Sequence, residues 1–260
     1  MKDSWESSDP YEYFMGRWSR LVARSFINWL SPPPGLKWLD VGCGSGALSE
    51  AVINNHKPAE ITAIDQSEAF VITAQKLLGS RAHCVIGNAL SLPMGDSSLD
   101  VIVSGLVLNF ISEPEKALAE MRRVTVPGGF AALYVWDYAG KMEFLTHFWD
   151  IATELNPKAS GLHESNRFPN TNPDAIIDLF EKAGFSKTLI APIEIETHFR
   201  NFDDYWKPFL GGQGPAPTYV RSLDESERNN LQNALNKRLL IQPDGSIPMF
   251  ARAWAARSQV

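Results

Sequence analysis

Leu39-Asp40-Val41-Gly42-Cys43-Gly44-Ser45-Gly46 is the stretch on which the fold turns. Lys37 to Val41 reads as a short strand, with the Asp40 carboxylate at its end. Gly42, Gly44 and Gly46 then form a turn into a helix. Glycine lets the backbone bend sharply and lets a ligand lie against bare main chain. The helix carries Leu48, Ala51 and Val52 on one face and ends before Pro58. A second strand, Glu60 to Ile64, closes on Asp65, 25 residues beyond Asp40. An acid at that place can accept hydrogen bonds from both hydroxyls of a ribose.

The alternation continues outward from this core. Ser67 to Leu78 has helical spacing, with Gly79 as its stop. Ala82 to Ile86 and Leu99 to Ser104 read as strands three and four. Ser112 and Glu115 form a capping-box pattern that opens a helix to about Val124. Pro127-Gly128-Gly129 reads as a turn before a fifth strand, Phe130 to Trp136. Asn172 and Pro173 supply an N-cap and a first-turn proline, and Gly184 stops that helix. Lys187 to Thr197 and Ile247 to Arg257 complete seven strands, and a second capping box is expected at Ser222 and Glu225. Such alternation predicts an α/β fold, a doubly wound and mostly parallel seven-stranded sheet of Rossmann-like type.

Composition narrows the function classes. The 260 residues are 44% hydrophobic and 21% charged, enough for a core that needs no disulfide or metal. A net charge of −6 argues against nucleic acid and anionic lipid as partners. Two cysteines, Cys43 and Cys84, fit a reducing, cytoplasmic compartment. Met1 to Glu6 has no apolar run, so no signal peptide is expected, and no stretch has the apolar length to span a membrane. The expected layout is one domain over 1–260, with an N-terminal arm (1–34), a cofactor-binding half (35–137) and two lid insertions (138–172 and 198–246). Arm and insertions hold 18 of the 28 aromatics, which predicts an apolar pocket beneath a lid.

A nicotinamide-binding Rossmann domain usually spaces its glycines GxGxxG. Here the third glycine arrives one residue early, and an acid precedes the first. The Gly42–Gly46 loop resembles instead the cofactor loop of class I S-adenosylmethionine-dependent methyltransferases. The match extends to Asp65 for the ribose, Gln66 near the adenine, and Gly87-Asn88-Ala89 in place of a Gly-Asp-Ala turn that reads the adenine edge. Asn88 can both accept and donate, so an amide can serve there. Leu92-Pro93, Leu99-Asp100 and Met121-Arg122-Arg123-Val124 before Pro127-Gly128-Gly129 are similar to the quinone-biosynthesis branch.

The resemblance implies S-adenosylmethionine as cofactor, S-adenosylhomocysteine as product, and binding by Asp40, Gly42, Gly44, Gly46, Asp65, Gln66, Asn88, Ala89 and Ser104. It also implies that Tyr13 and Arg17, in the arm, cover the cofactor and pair with its carboxylate. Where the family often has a Leu-His pair after strand four, this chain has Leu108-Asn109. Asn109 can orient a substrate but cannot act as a base. Acceptor-side candidates are Asn109, Trp136, Trp149 and Trp206, with His147 and Tyr138 as candidate catalytic groups.

DNA-base methylation is disfavoured by Ser104-Gly105-Leu106-Val107, which lacks the Asn/Asp-Pro-Pro-aromatic motif, and arsenic methylation by the shortage of thiols. A small, partly apolar organic acceptor, methylated by in-line displacement at the sulfonium, is the expected substrate. No metal and no oligomeric state is assigned. A non-catalytic sensor or partner subunit that binds the cofactor, and an NAD-dependent oxidoreductase, are the alternatives.

Overall fold

Trp38, Leu39, Asp40 and Val41 are all buried, so β1 (Lys37–Val41) is covered on both faces, as a central parallel strand must be. The structure, a computed structural model, describes residues 15–211 and 214–260. Six further strands follow: β2 (Glu60–Asp65), β3 (His83–Ile86), β4 (Leu99–Gly105), β5 (Thr125–Trp136), β6 (Ser186–Glu196) and β7 (Phe250–Gln259). Their order in the sheet is β3-β2-β1-β4-β5-β7-β6. β1 pairs in parallel with β2 and β4, β2 with β3, and β4 with β5, while β7 runs antiparallel to β5.

The helices are α1 (Arg17–Leu30), α2 (Ala47–His56), α3 (Glu68–Leu78), α4 (Pro114–Val124), α5 (Glu143–Leu155), α6 (Glu164–Arg167), α7 (Pro173–Lys182), α8 (Phe202–Gly211), α9 (Pro215–Ser222) and α10 (Glu225–Arg238). Among the described residues no helix is long and apolar enough to cross a membrane.

The chain divides into two compact units. The sheet unit comprises residues 19–136, 170–193 and 253–260. Its core joins Leu39 and Val41 of β1 to Ile102, Leu133 and Val135 of the next strands. α4 adds Leu118, Met121 and Val124, and α7 adds Ile176, Leu179 and Phe180. Each such buried side chain contributes about 1.5–3 kcal/mol of transfer free energy. Asn172 caps α7 by accepting from Ala175 N–H, and Gly184 follows at φ 85°.

The second unit takes in residues 15–18, 137–169 and 194–252. Its core is aromatic. Phe148 stacks on Phe209 at 4.6 Å and 10°, and meets Trp149 edge-on at 5.0 Å. Tyr205, fully buried, donates its hydroxyl to Phe144 O at 2.9 Å, which satisfies the polar atom that burial strands.

Several local expectations are corrected. The Ser112–Glu115 capping box does not form. Pro114 takes the first position of α4, and Glu113, the N-cap, makes no side-chain cap bond. The second capping box forms two residues later than expected, between Asp224 and Glu227. β5 begins at Thr125, and Pro127-Gly128-Gly129 lies within it at a shift of register against β4. A further helix, α9 (Pro215–Ser222), precedes the second capping box.

Candidate functional site

Parallel strands β1 and β2 carry Asp40 and Asp65 as their penultimate and last residues, and the strand order reverses between β1 and β4. In open α/β sheets the crevice at the carboxyl ends of the strands, where the order reverses, is the binding place. The glycine loop fills the exit of β1. Gly42 and Cys43 donate their N–H groups to Ile64 O at 2.8 and 2.9 Å, and Gly46 caps α2. The Asp65 carboxylate ties the loop down from the neighbouring strand. Its Oδ2 accepts from Gly44 N–H at 3.0 Å and its Oδ1 from Ser67 N–H at 2.9 Å. Burial raises the Asp65 pKa, against the pull of these N–H groups.

Two glycines explain why the loop admits nothing else. Gly44 sits at φ 53° with open space where a Cβ would stand, so bare backbone faces outward there. At Gly42 a Cβ would fall 2.6 Å from both methyls of Val107. That contact lays the turn after β4 directly on the glycine loop. The turn is strained: Leu106 has φ 63°, an uncommon conformation for a bulky residue. It leads into a single 3-10 turn, Leu108–Phe110, that carries Asn109. Asn109 Nδ2 is buried and has no hydrogen-bond partner among the described residues.

Asp40 lies below the loop with no exposed surface. Ser49 Oγ donates to its Oδ2 at 2.6 Å, and its Oδ1 is buried without a partner among the described residues. Burial pushes the carboxyl up to about 7, partly opposed by Ser49 and reinforced by Asp65. Ser49 carries no motif. Its one sequence signal is a small polar residue among Leu48, Ala51 and Val52 on the buried face of α2. Cys43 is no nucleophile: burial, then Asp40, Asp65 and Cys84, push its thiol up, so it stays protonated.

The remaining expected residues divide by position. Gln66, Asn88 and Ala89 follow β2 and β3, with Gln66 and Asn88 exposed. Asn88 Oδ1 accepts from Leu90 N–H at 2.9 Å, which fixes the side chain with its amide donor directed away from that bond. Ser104 is buried and donates to Val41 O at 2.7 Å, so its hydroxyl joins β4 to β1. Trp136 is buried in β5, paired in register with Ala253. Glu120 and Arg123 of α4 hold the 92–96 loop, through Leu92 N and the carbonyls of Leu92 and Met94.

In the aromatic unit, Arg17 pairs with Asp204 at 3.0 Å and lies over the rings of Trp18 and Phe199. Burial alone would raise the Asp204 carboxyl; Arg200 N–H and Arg17 outweigh it and hold it below the usual range. Trp149 and Trp206 are buried, and Trp149 Nε1 donates to buried Glu164. Tyr138 lies against Phe168, and His147 is half-buried on α5. Tyr13 falls outside the described residues. No cluster of metal-ligating side chains occurs among the described residues.

Comparison with known proteins places this geometry. Residues 39–133 match the family model for a methyltransferase domain. A ubiquinone/menaquinone biosynthesis C-methyltransferase of Cereibacter sphaeroides is 30% identical over 115 residues, 42% of this chain and 46% of that protein. A malonyl-[acyl-carrier protein] O-methyltransferase of Serratia marcescens is 32% identical over 130 residues, 50% of this chain and 49% of that one. The matched region is thus about half the length of these curated relatives. The solved phosphoethanolamine N-methyltransferase 2 of Haemonchus contortus, in complex with S-adenosyl-L-methionine, shares the fold at TM-score 0.60 and 13% identity, over 97% of this chain and 56% of that one. The glycine loop and the two acids, Asp40 and Asp65, lie within residues 39–133, the region that matches the methyltransferase-domain family, and the relatives of this chain include quinone-biosynthesis C-methyltransferases.

Proposed function

We propose that this protein transfers a methyl group from S-adenosylmethionine to a small, partly apolar organic acceptor. The observation that carries this reading is the glycine loop, held by Asp65 and bare at Gly44, beside a buried Asp40 oxygen that lacks a partner. The residues present fit the cofactor. Asp65 has lone pairs left for the ribose hydroxyls, Asn88 has an amide donor for the adenine edge, and Asp40 offers a negative charge to a cation. When bound, S-adenosylmethionine supplies a methyl activated by its sulfonium.

The chain's part is to position and to exclude water, which can provide most of the acceleration. Asn109 Nδ2 is a donor awaiting an acceptor, and we assign it to an oxygen of the substrate. With an amide standing there, that position supplies no proton acceptor. The reading therefore favours a substrate that arrives ionised or needs no deprotonation. A net charge of −6 supports a small-molecule partner over nucleic acid.

Calorimetry tests the reading. S-adenosylhomocysteine is expected to bind and NAD is not; NAD binding with no response to the adenosyl ligand would overturn it. Methyl transfer to a panel of small acceptors, with product measured, separates an enzyme from a sensor that only binds.

A further inference from the structure

We propose that Ser49 is a positioning residue of the cofactor site: its hydroxyl holds Asp40 charged and oriented beneath the glycine loop, and so sets the pH range over which the site takes a cationic adenosyl cofactor. This rests on the functional reading above.

A serine inside a helix ordinarily faces solvent or bonds back to its own turn. Ser49 does neither. It has no exposed surface, and its Oγ–H reaches out of α2 to Asp40 Oδ2 at 2.6 Å, the length of a hydrogen bond to a charged acceptor. Asp40 is equally buried, and its Oδ1 is left bare. Among the described residues, a buried carboxylate hydrogen-bonded by Ser49 alone, with no cation beside it, is an unfinished arrangement.

The groups around it do not complete it. Asp65 at the end of β2 is a second negative charge, and the thiols of Cys43 and Cys84 are pushed toward their neutral forms. Among the described residues the hydroxyl of Ser49 is the side chain that favours the ionised form of Asp40. S-adenosylmethionine carries a net positive charge, and S-adenosylhomocysteine is a neutral zwitterion. An ionised Asp40 therefore favours the cofactor over the product, and a protonated one removes that preference.

The experiment is calorimetric titration of the full chain with each adenosyl compound from about pH 5.5 to about pH 8.5. In the wild type, S-adenosylmethionine is expected to bind more tightly as pH rises through about 7, with S-adenosylhomocysteine much less responsive. Ser49→Ala is expected to weaken S-adenosylmethionine roughly tenfold near pH 7 and to move the midpoint up by about one unit. Ser49→Thr should restore both. Binding by Ser49→Ala with the wild-type midpoint, whether at the same affinity or uniformly weaker, overturns the proposal, because a merely structural role leaves the midpoint in place.

If Ser49→Ala does not fold, Ser49→Cys, whose thiol is a weak donor, decides. A midpoint moved upward supports the proposal, and the wild-type midpoint refutes it. A wild type that binds neither compound overturns the functional reading itself. A wild type that binds S-adenosylmethionine independently of pH overturns only this inference.

Discussion

Two buried aspartates, Asp137 just after β5 and Asp40 near the end of β1, have different surroundings. Asp137, after β5, receives Arg252 Nε at 2.7 Å, a second Arg252 nitrogen at 2.6 Å and Gly140 N–H at 2.9 Å. Asp40, in β1, receives one hydroxyl and keeps one oxygen bare. The first belongs to the aromatic unit and is complete within the protein. The second belongs to the sheet unit and, among the described residues, is left with one oxygen unpaired. Buried charge that is fully paired holds a fold together, and the open Asp40 oxygen is what the cofactor site proposed above is built on.

The largest expected effect breaks the completed member. Arg252→Ala strands Asp137 without its cation and should cost about 3–5 kcal/mol in urea unfolding. A loss below about 1 kcal/mol would deny that the pair is structural.

Asp40→Asn sharpens the other side. A folded pKa raised from 3.8 to about 7 means that Asp40 favours the fold below the lower value, and that this contribution is lost as pH rises through the upper one. The wild type without ligand should lose roughly 2–4 kcal/mol from this group between those values. Asp40→Asn should be flat over that window and more stable above it, while binding cofactor less well. Melting curves across pH with equal slopes in both proteins would contradict this.

Asp65→Ala is the smallest change, about 1–3 kcal/mol of cofactor affinity through lost ribose hydrogen bonds and a loosened Gly44. Unchanged affinity by calorimetry would remove Asp65 from the site.

Much of the sheet unit was legible because its signals are local. Lys37–Val41, Glu60–Asp65 and the Asn172 cap stand where spacing put them. The capping boxes were less so, since Ser222–Glu225 and Asp224–Glu227 satisfy one pattern two residues apart. Burial of Leu231 and Leu235 accompanies the latter. Ser49 escaped notice because its partner lies on another element, nine residues back. The aromatic surplus of the insertions was visible as a count, but Phe148 on Phe209 and Tyr205 on Phe144 are contacts made to one another.

From the chain alone come the strand-helix order, the glycine loop and the two strand-end acids, because period, turn chemistry and residue type act over a few positions. Only the tertiary structure decided which buried polar atoms were satisfied. Asp137 and Arg252 are 115 residues apart, and Val107, after β4, reaches Gly42 at the exit of the neighbouring β1. Whether a carboxylate finds a cation or waits for one depends on what the fold brings beside it, and no local pattern carries that information.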